Sequence, residues 1–548
     1  GGRGLPVVKI LLDRFARMVG SKRERIIDRI PYLGLDIESV DDESIRVEYN
    51  PNRPDFSTDY GIARALRGLM RLETGLPTYS VRDGRINVCV NRNLEKVRPY
   101  IACAVARDLQ LDDESIRQII SMQEDLHNGL GRRRAKVSIG LHNLDAVVPP
   151  VHYEGKPSTF SFVPLGESRL MKVAEILKGT ETGREYGHIL SGAKLYPILR
   201  DSVGTVLSFP PIINGTATRV DTRTNGLFID VTSTDETAGE DTLAVLVSTL
   251  AEAGASLESV RIKYSGKATV TPELTSRTMR LDENLVNAIT GLNISRSQVK
   301  VCLRRCRLDL AGASVVIPRY RVDILHPVDI AEEVAIGYGL DKVVPLYPAS
   351  YAPGSYDPSL VFLNGVSETV ARSGFIETVS YELVDEASLY TNFGRGNHGK
   401  IEVENPRSLE HCVLRDSILP SLMAVLSRNI KEEYPQRLFE VGTVYLRSGS
   451  RIIEESHLGA AIAHTSTTYS EAKMHLSALI REQAGGEITT KSSTHWAFAD
   501  GRCAELNLNG TKIGHVGEVK PSVVASFGLG VAVSAFEIDI GKLLRRND

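Results

Sequence analysis

Arg321-Val322-Asp323-Ile324-Leu325-His326-Pro327-Val328-Asp329-Ile330-Ala331-Glu332-Glu333-Val334 sets four carboxylates within eleven positions. Pro327 suits the first position of a helix, because its missing N–H has no partner there in any case. Asp329, Glu332 and Glu333 then fall in the opening turns, where residues three and four apart share a face. Asp323 approaches from the extended segment before it. Two readings stand side by side. Crowded hard oxygen donors are what magnesium takes, together with several waters. Acidic side chains are also favoured at helix N-termini, and Asp329 with Glu332 reads as a capping box. Under either reading the carboxylates repel one another until a cation or a basic side chain neutralises them.

Working outward, the chain has 548 residues, enough for three to five domains. With 42% hydrophobic and 24% charged residues it is ordinary globular material, which excludes a disordered, collagen-like or coiled-coil chain. The net charge of −3 excludes a polyanion-binding surface spread over the whole protein and leaves room for a local contact. Six cysteines cannot staple a chain this long. Cys302 and Cys306 lie one helical turn apart, with no second pair at zinc spacing. Reduced thiols and a cytoplasmic location follow as expectations. No apolar run reaches the 18 or so residues of a membrane span, so no membrane partner is expected. The first apolar run breaks at Asp13 and Arg14 and reads as no signal peptide.

The expected modules are 1–88, 89–270, 271–346 and 347–548. In the first, a helix pattern runs through Ile10, Leu11, Phe15 and Met18. Ser57 or Thr58 caps a second helix that buries Ile62, Ala65, Leu66 and Leu69, with Arg64 and Arg67 on solvated faces. The second module opens on a strand, Tyr100 to Val105, followed by a helix burying Ile116, Ile119, Ile120 and Leu126. Arg132, Arg133, Arg134 and Lys136 form the densest basic cluster, read as a solvated turn or as a phosphate contact. In the third, Val299, Cys302, Leu303 and Cys306 trace a helix face, which makes both cysteines core residues, and Val315 to Ile317 is a strand. Helices over Val361 to Ala371 and Ser417 to Asn429 and strands over Leu458 to Ala463 and Val533 to Ile540 are expected in the last.

The strand Gly226-Leu227-Phe228-Ile229-Asp230-Val231-Thr232 alternates with period two. Leu227, Ile229 and Val231 share one face; Phe228, Asp230 and Thr232 share the other. By itself that is equally a half-exposed strand with a polar outer side. His127 and His142 lie in the same module without a legible Ser or Asp partner.

Arg321-Val322-Asp323, Asp329-x-x-Glu332-Glu333 and Gly337-Tyr338-Gly339-Leu340-Asp341 together resemble the magnesium-bearing domain of phenylalanyl-tRNA synthetase beta subunits. Asn50-Pro51-Asn52-Arg53-Pro54-Asp55 with Gly61-Ile62-Ala63-Arg64-Ala65, and Arg437-Leu438-Phe439-Glu440-Val441-Gly442, resemble the same family in the same order. The resemblance spans essentially the whole chain and is to the archaeal and eukaryotic form, without room for the extra domains of the bacterial form. It implies an α+β multidomain protein. An α/β editing domain would occupy 89–270 and a winged-helix-like, metal-bearing domain 271–346. A catalytically inactive, class II synthetase-like antiparallel-sheet module would occupy 347–548. The implied magnesium ligands are Asp323, Asp329, Glu332 and Glu333. The implied partners are the alpha subunit, in a heterotetramer of two alpha and two beta chains, and the phenylalanine tRNA, with ATP as substrate of the complex.

The resemblance also implies hydrolysis of tyrosine wrongly joined to that tRNA. A hydrophobic pocket rejects a near-isostere with one added hydroxyl only about 10²-fold, so a second, hydroxyl-reading site is needed. Asp230, Thr232, Ser208 and Leu199 match the editing positions, with Asp230 reading the tyrosine hydroxyl or amino group and Ser208 and Thr232 placing the ester or the water. Adenylation is expected elsewhere. Class II enzymes grip ATP with arginines, and here Leu438 stands two before Glu440 where the motif needs one; a strand turns Arg437 to the opposite face. Around Phe527-Gly528-Leu529-Gly530, and everywhere between Arg502 and Arg545, there is no arginine. A purely structural partner subunit is the competing reading. A nucleic-acid-binding module over 271–345 ranks behind both, because its acidic knot repels phosphate.

Overall fold

The computed structural model describes residues 5–347, 353–396 and 399–544 and divides into two compact units that adjoin in sequence at residues 347 and 348. Both are α+β, with several separate sheets.

In the first unit, Ser44–Glu48 lies between Val7–Leu11 and Asp36–Val40 in an antiparallel three-stranded sheet. The expected first helix is shorter than its pattern. Ile10 and Leu11 belong to the strand, since Val8 and Ile10 are buried on either side of exposed Lys9, and the helix begins at Leu12. The helix Asp59–Leu69 starts as expected at Thr58, whose hydroxyl accepts the Gly61 N–H at 3.3 Å. Its Arg64 is not solvated. It is 1% exposed, with its guanidinium 3.7 Å above the Tyr320 ring.

An eleven-stranded sheet dominates this unit, with Leu227–Ser233 hydrogen-bonded between Tyr100–Arg107 and Val137–Asn143, antiparallel to both. All seven residues of Leu227–Ser233 are buried, so the reading of a half-exposed strand is corrected: a sheet strand covered on both faces has no polar outer side. Leu227, Ile229 and Val231 pack in one apolar cluster and Phe228 in another, as the alternation requires. Asn87–Val90 already belongs to this sheet, pairing with Ser256–Lys263 and Val151–Lys156, so the expected boundary at 88/89 cuts a strand. In the helix Asp113–Asn128, Ile119 and Leu126 are buried, but Ile120 is 51% exposed and lines the cavity described below.

Three helices, Glu283–Thr290, Arg296–Arg305 and Pro327–Tyr338, surround the small sheet of Arg277–Arg280, Asp309–Ala311 and Ser314–Ile317. Cys302 is buried there and Cys306 ends its helix, its thiol donating to the Glu333 carbonyl at 3.1 Å. Gly337 lets two helices touch, for a Cβ there would stand 2.2 Å from the Cys302 carbonyl oxygen. All six cysteines are free thiols.

The second unit is built on a seven-stranded sheet in which Gln436–Ser448 and Arg451–Ala463 form a long hairpin. The remaining pairs are antiparallel except for the edge strand Ile376–Glu377. Phe439, Leu458, Ile462 and Phe536 face one apolar cluster; Leu438, Val444, Ala461 and Ala535 face the other. No helix among the described residues is long and apolar enough to cross a membrane.

Candidate active site

Strand register assembles the site. Asp230 lies opposite Gly140, and His142, two residues further along the same strand, lies opposite Phe228. On that shared face the His142 ring bridges two buried groups: Nε2 is 2.8 Å from Asp230 Oδ2 and Nδ1 is 2.8 Å from Thr218 Oγ1. His142 is fully buried and Asp230 is 1% exposed. The absent Gly140 side chain makes the arrangement possible, for a Cβ there would stand 2.0 Å from Asp230 Oδ2. The Ser208 hydroxyl, near the opposite end of the strand order, comes within 3.5 Å of Asp230 Oδ2.

These groups open onto a cavity of about 330 Å³, at the small end of ordinary ligand pockets. Asp230 and Ser208 line it, together with Gln123, Glu124, Arg134 and Asn214. The Arg134 guanidinium lies over the Tyr186 ring, 4.4 Å from its centroid, and donates to Glu124 at 2.9 Å and to the Ile212 carbonyl at 3.1 Å. His127 accepts the Ile139 N–H on Nε2 at 2.8 Å, which leaves Nδ1–H for Glu124 at 3.2 Å. Burial pushes the His127 imidazole below its ordinary range and keeps it neutral. Burial raises the Glu124 carboxyl, but the His127 hydrogen bond and the Arg134 charge outweigh it and hold the group below the usual carboxylate range. The pocket therefore presents fixed hydrogen-bond donors and acceptors, and no nucleophilic Ser–His pair among its described lining.

Of the four residues expected here, two face the cavity and two stand behind it. Leu199 is fully buried in the apolar cluster with Phe228 and Leu207. Thr232 is fully buried too, and its hydroxyl accepts from Arg98 Nε at 2.9 Å while its carbonyl accepts from Arg98 Nη2 at 2.8 Å. Burial lowers the Arg98 guanidinium to about 10, and the Tyr153 and Asp230 charges work against it. His142, read as partnerless, has Asp230 and Thr218.

The acidic knot has a different partner from the one its density suggested. Arg321 grips Asp323 through Nε and Nη2 at 2.9 and 2.7 Å and Glu333 through Nη1 and Nη2 at 3.1 and 2.5 Å. Burial opposes the Asp323 charge, yet the Arg321 guanidinium brings the carboxyl down to about 2. The 50–55 and 61–65 passages converge here: Arg53 pairs with Asp55 at 2.9 Å, Arg64 reaches Asp55 at 3.4 Å, and Arg53 stands 3.9 and 3.8 Å from Asp323 and Glu333. A Cβ on Gly61 would lie 1.6 Å from the Asp55 carbonyl oxygen, so the motif needs its glycine. Three guanidiniums and three carboxylates balance. Asp329 Oδ2 accepts the Leu325 and His326 N–H groups, each at 2.7 Å, so the helix cap pairs Asp329 with His326 rather than with Glu332. Glu332 is exposed, and burial with the neighbouring Glu333 and Asp329 charges raises its carboxyl. As placed, these carboxylates do not fit an octahedral magnesium: no three of them bring ligand oxygens within 4.8 Å of one another. Among the described residues the trio that does so is Glu455, His457 and Asp539, where His457 already lies between Glu455 and Glu537, and Lys542 pairs with Asp539.

In the second unit, Leu438 is 7% exposed in an apolar cluster and Arg437 turns to Glu471 at 3.4 Å. Buried Glu440 is paired with buried Arg415 at 2.5 Å, and a Cβ on Gly442 would collide with that guanidinium.

Comparison with known proteins gives a consistent result. Residues 344–540 match the family profile described as the phenylalanyl tRNA synthetase beta chain CLM domain, and residues 279–340 that of the tRNA synthetase B5 domain. The phenylalanine–tRNA ligase beta subunit of Archaeoglobus fulgidus is 40% identical over 545 residues, covering 98% of each chain. That of Methanococcoides burtonii is 37% identical over 98% of this chain and 100% of its own. A crystal structure of an N-terminal fragment of the Pyrococcus horikoshii phenylalanyl-tRNA synthetase beta subunit superposes with a TM-score of 0.58 at 34% identity, over 61% of this chain and 99% of the fragment.

Proposed function

The chain belongs to the phenylalanine–tRNA ligase beta subunits, and on that premise we propose that it serves the ligase in two ways: it partners an alpha subunit that performs adenylation, and it hydrolyses tyrosyl-tRNA itself. The observation that carries the second role is the Asp230–Ser208 pocket. A buried carboxylate and a hydroxyl in a small cavity offer a tyrosine ring's hydroxyl what phenylalanine would leave unpaired, and an unpaired buried polar group costs about 1–3 kcal/mol. Asp230 reads the polar end of the amino acid. Ser208 shares its Oδ2, and His142 holds the same oxygen from behind, so the free carboxylate oxygen has one orientation. Thr232 and Leu199 shape the wall behind it through Arg98 and Phe228. Water attacks the ester carbonyl and the tRNA 3′ oxygen leaves with a proton; the Arg134 guanidinium and the Asn214 amide stabilise the developing oxyanion, and the Glu124 carboxylate orients the water.

The first role is supported by the missing arginines. With Leu438 in an apolar cluster and Arg415 committed to Glu440, the motif position of the second unit, read as a class II synthetase-like sheet, offers no guanidinium to hold triphosphate. The assembly is proposed as two alpha and two beta chains acting on phenylalanine tRNA with ATP, in the cytoplasm. The regions 271–346 and 347–548 are read as the winged-helix-like and synthetase-like domains. Magnesium at Asp323, Asp329, Glu332 and Glu333 would first have to displace Arg321 from Asp323 and Glu333.

The deciding experiment uses the alpha–beta complex with Asp230→Ala. Phenylalanine charging is expected to persist while mischarged tyrosyl-tRNA survives. Unchanged clearance of tyrosyl-tRNA would remove the assignment and leave the structural-partner reading.

A further inference from the structure

The basic cluster divides in a way composition did not foretell. Arg132, Arg133 and Arg134 are three consecutive non-glycine residues in the left-handed region, with φ of 48°, 54° and 65°. The left-handed region is strained for a residue with a side chain, so the turn persists only because its surroundings enforce it. They do: the Gly131 N–H donates to Leu126 O at 2.8 Å, Arg134 N–H to His127 O at 3.1 Å, and Lys136 N–H to Gly131 O at 2.8 Å. Gly131 is buried, and a Cβ there would stand 2.5 Å from the His127 carbonyl oxygen.

The left-handed path sends neighbouring arginines to different places. Arg134 folds into the hydrolytic pocket. Arg133, 69% exposed at its side chain, lines a second groove of about 440 Å³ with Pro51, Asn128 and Asp125, whose carboxylate accepts from the buried Tyr49 hydroxyl at 2.7 Å. Arg132 is exposed and makes no ion pair within 4 Å among the described residues. Glu185 lies 3.5 Å from Arg133, Asp235 is 3.3 Å from Lys136, and Glu124 belongs to Arg134, so Arg132 carries the charge left over. One enforced turn thus joins the proposed hydrolytic pocket to two exposed guanidiniums, the side chains that contact nucleic-acid phosphates, and Arg132 among them has no carboxylate partner among the described residues.

We propose that Arg132 and Arg133 form a phosphate-binding lip that holds the single-stranded 3′ end of the tRNA while its terminal ester lies between Asp230 and Arg134. The proposal rests on the hydrolytic reading above. Its test compares the complex with its Arg132→Gln/Arg133→Gln variant on two substrates, tyrosyl-tRNA and 3′-O-tyrosyl-adenosine, which has no phosphate. The wild-type preference for tyrosyl-tRNA in kcat/KM should fall about tenfold in the variant, and the log–log salt slope should become shallower by about 0.7 per lost phosphate contact. A preference and slope equal to those of wild type overturn the proposal, whether the two rates stand or fall together. Wild type inactive on both substrates removes the hydrolytic reading and this inference with it, a result distinct because no substitution is involved.

Discussion

At the scale of single residues, Gly140 is the position where one atom matters most. Adding a Cβ 2.0 Å from Asp230 Oδ2 forces the carboxylate off His142 and Ser208. Gly140→Ala in the complex should therefore lower tyrosyl-tRNA clearance by about tenfold or more, since a misplacement near 1 Å costs about 10²-fold at a reacting centre, with phenylalanine charging unaffected; charging and deacylation assays side by side read this directly. The strand face that Asp230 shares with Phe228 and Thr232 was legible in the sequence because alternation is local, while its place among the candidate site residues came from the family resemblance. His142 was not legible, because 88 residues separate it from Asp230 and only the register of two strands joins them. Arg64 misled for the same reason. A helix wheel separates faces but does not know that Tyr320 and Asp55 lie across one of them.

At the scale of elements, the end of the Asp113–Asn128 helix couples the pocket to pH. His127 is kept neutral by burial and Glu124 ionised by His127 and Arg134. Both folded values lie below the unfolded ones, so both contributions are fully present above the unfolded pKa and are lost as pH falls. Loss begins below about 6.5 for the histidine and about 4.3 for the glutamate. Urea unfolding of the first unit's transition should show stability falling from pH 7 to pH 5, with the fall diminished in His127→Gln; an equal fall in both proteins would contradict the assignment. The acidic knot shows what pattern does and does not contain. Pro327 did mark the helix start, and the need for a neutralising charge was readable from density alone. That the charge is Arg321, two residues before Asp323, follows from the bend of the backbone and could not be read from spacing.

For the whole molecule, the division of labour makes a simple expectation. The purified chain should exchange no pyrophosphate with ATP and phenylalanine, and should do so once an alpha subunit is added and co-purifies with it; exchange by the chain alone would end the account of an emptied nucleotide site. A division near residue 347 was visible in sequence, whereas the three modules expected before it fall in one compact unit. The edge at 88/89 was not visible, because Asn87–Val90 is claimed by a strand whose partners arrive more than 60 residues later.

The pair of Arg415 with Glu440 also bears on redesign. An arginine placed at position 438 alone would drive a guanidinium into the apolar cluster that holds Leu422, Met423 and Phe393, beside a carboxylate that is already taken. On the proposed reading of an emptied nucleotide site, building a nucleotide cradle here would demand that several positions change together, because the arginine at 415 and the apolar packing at 438 each block the other's replacement.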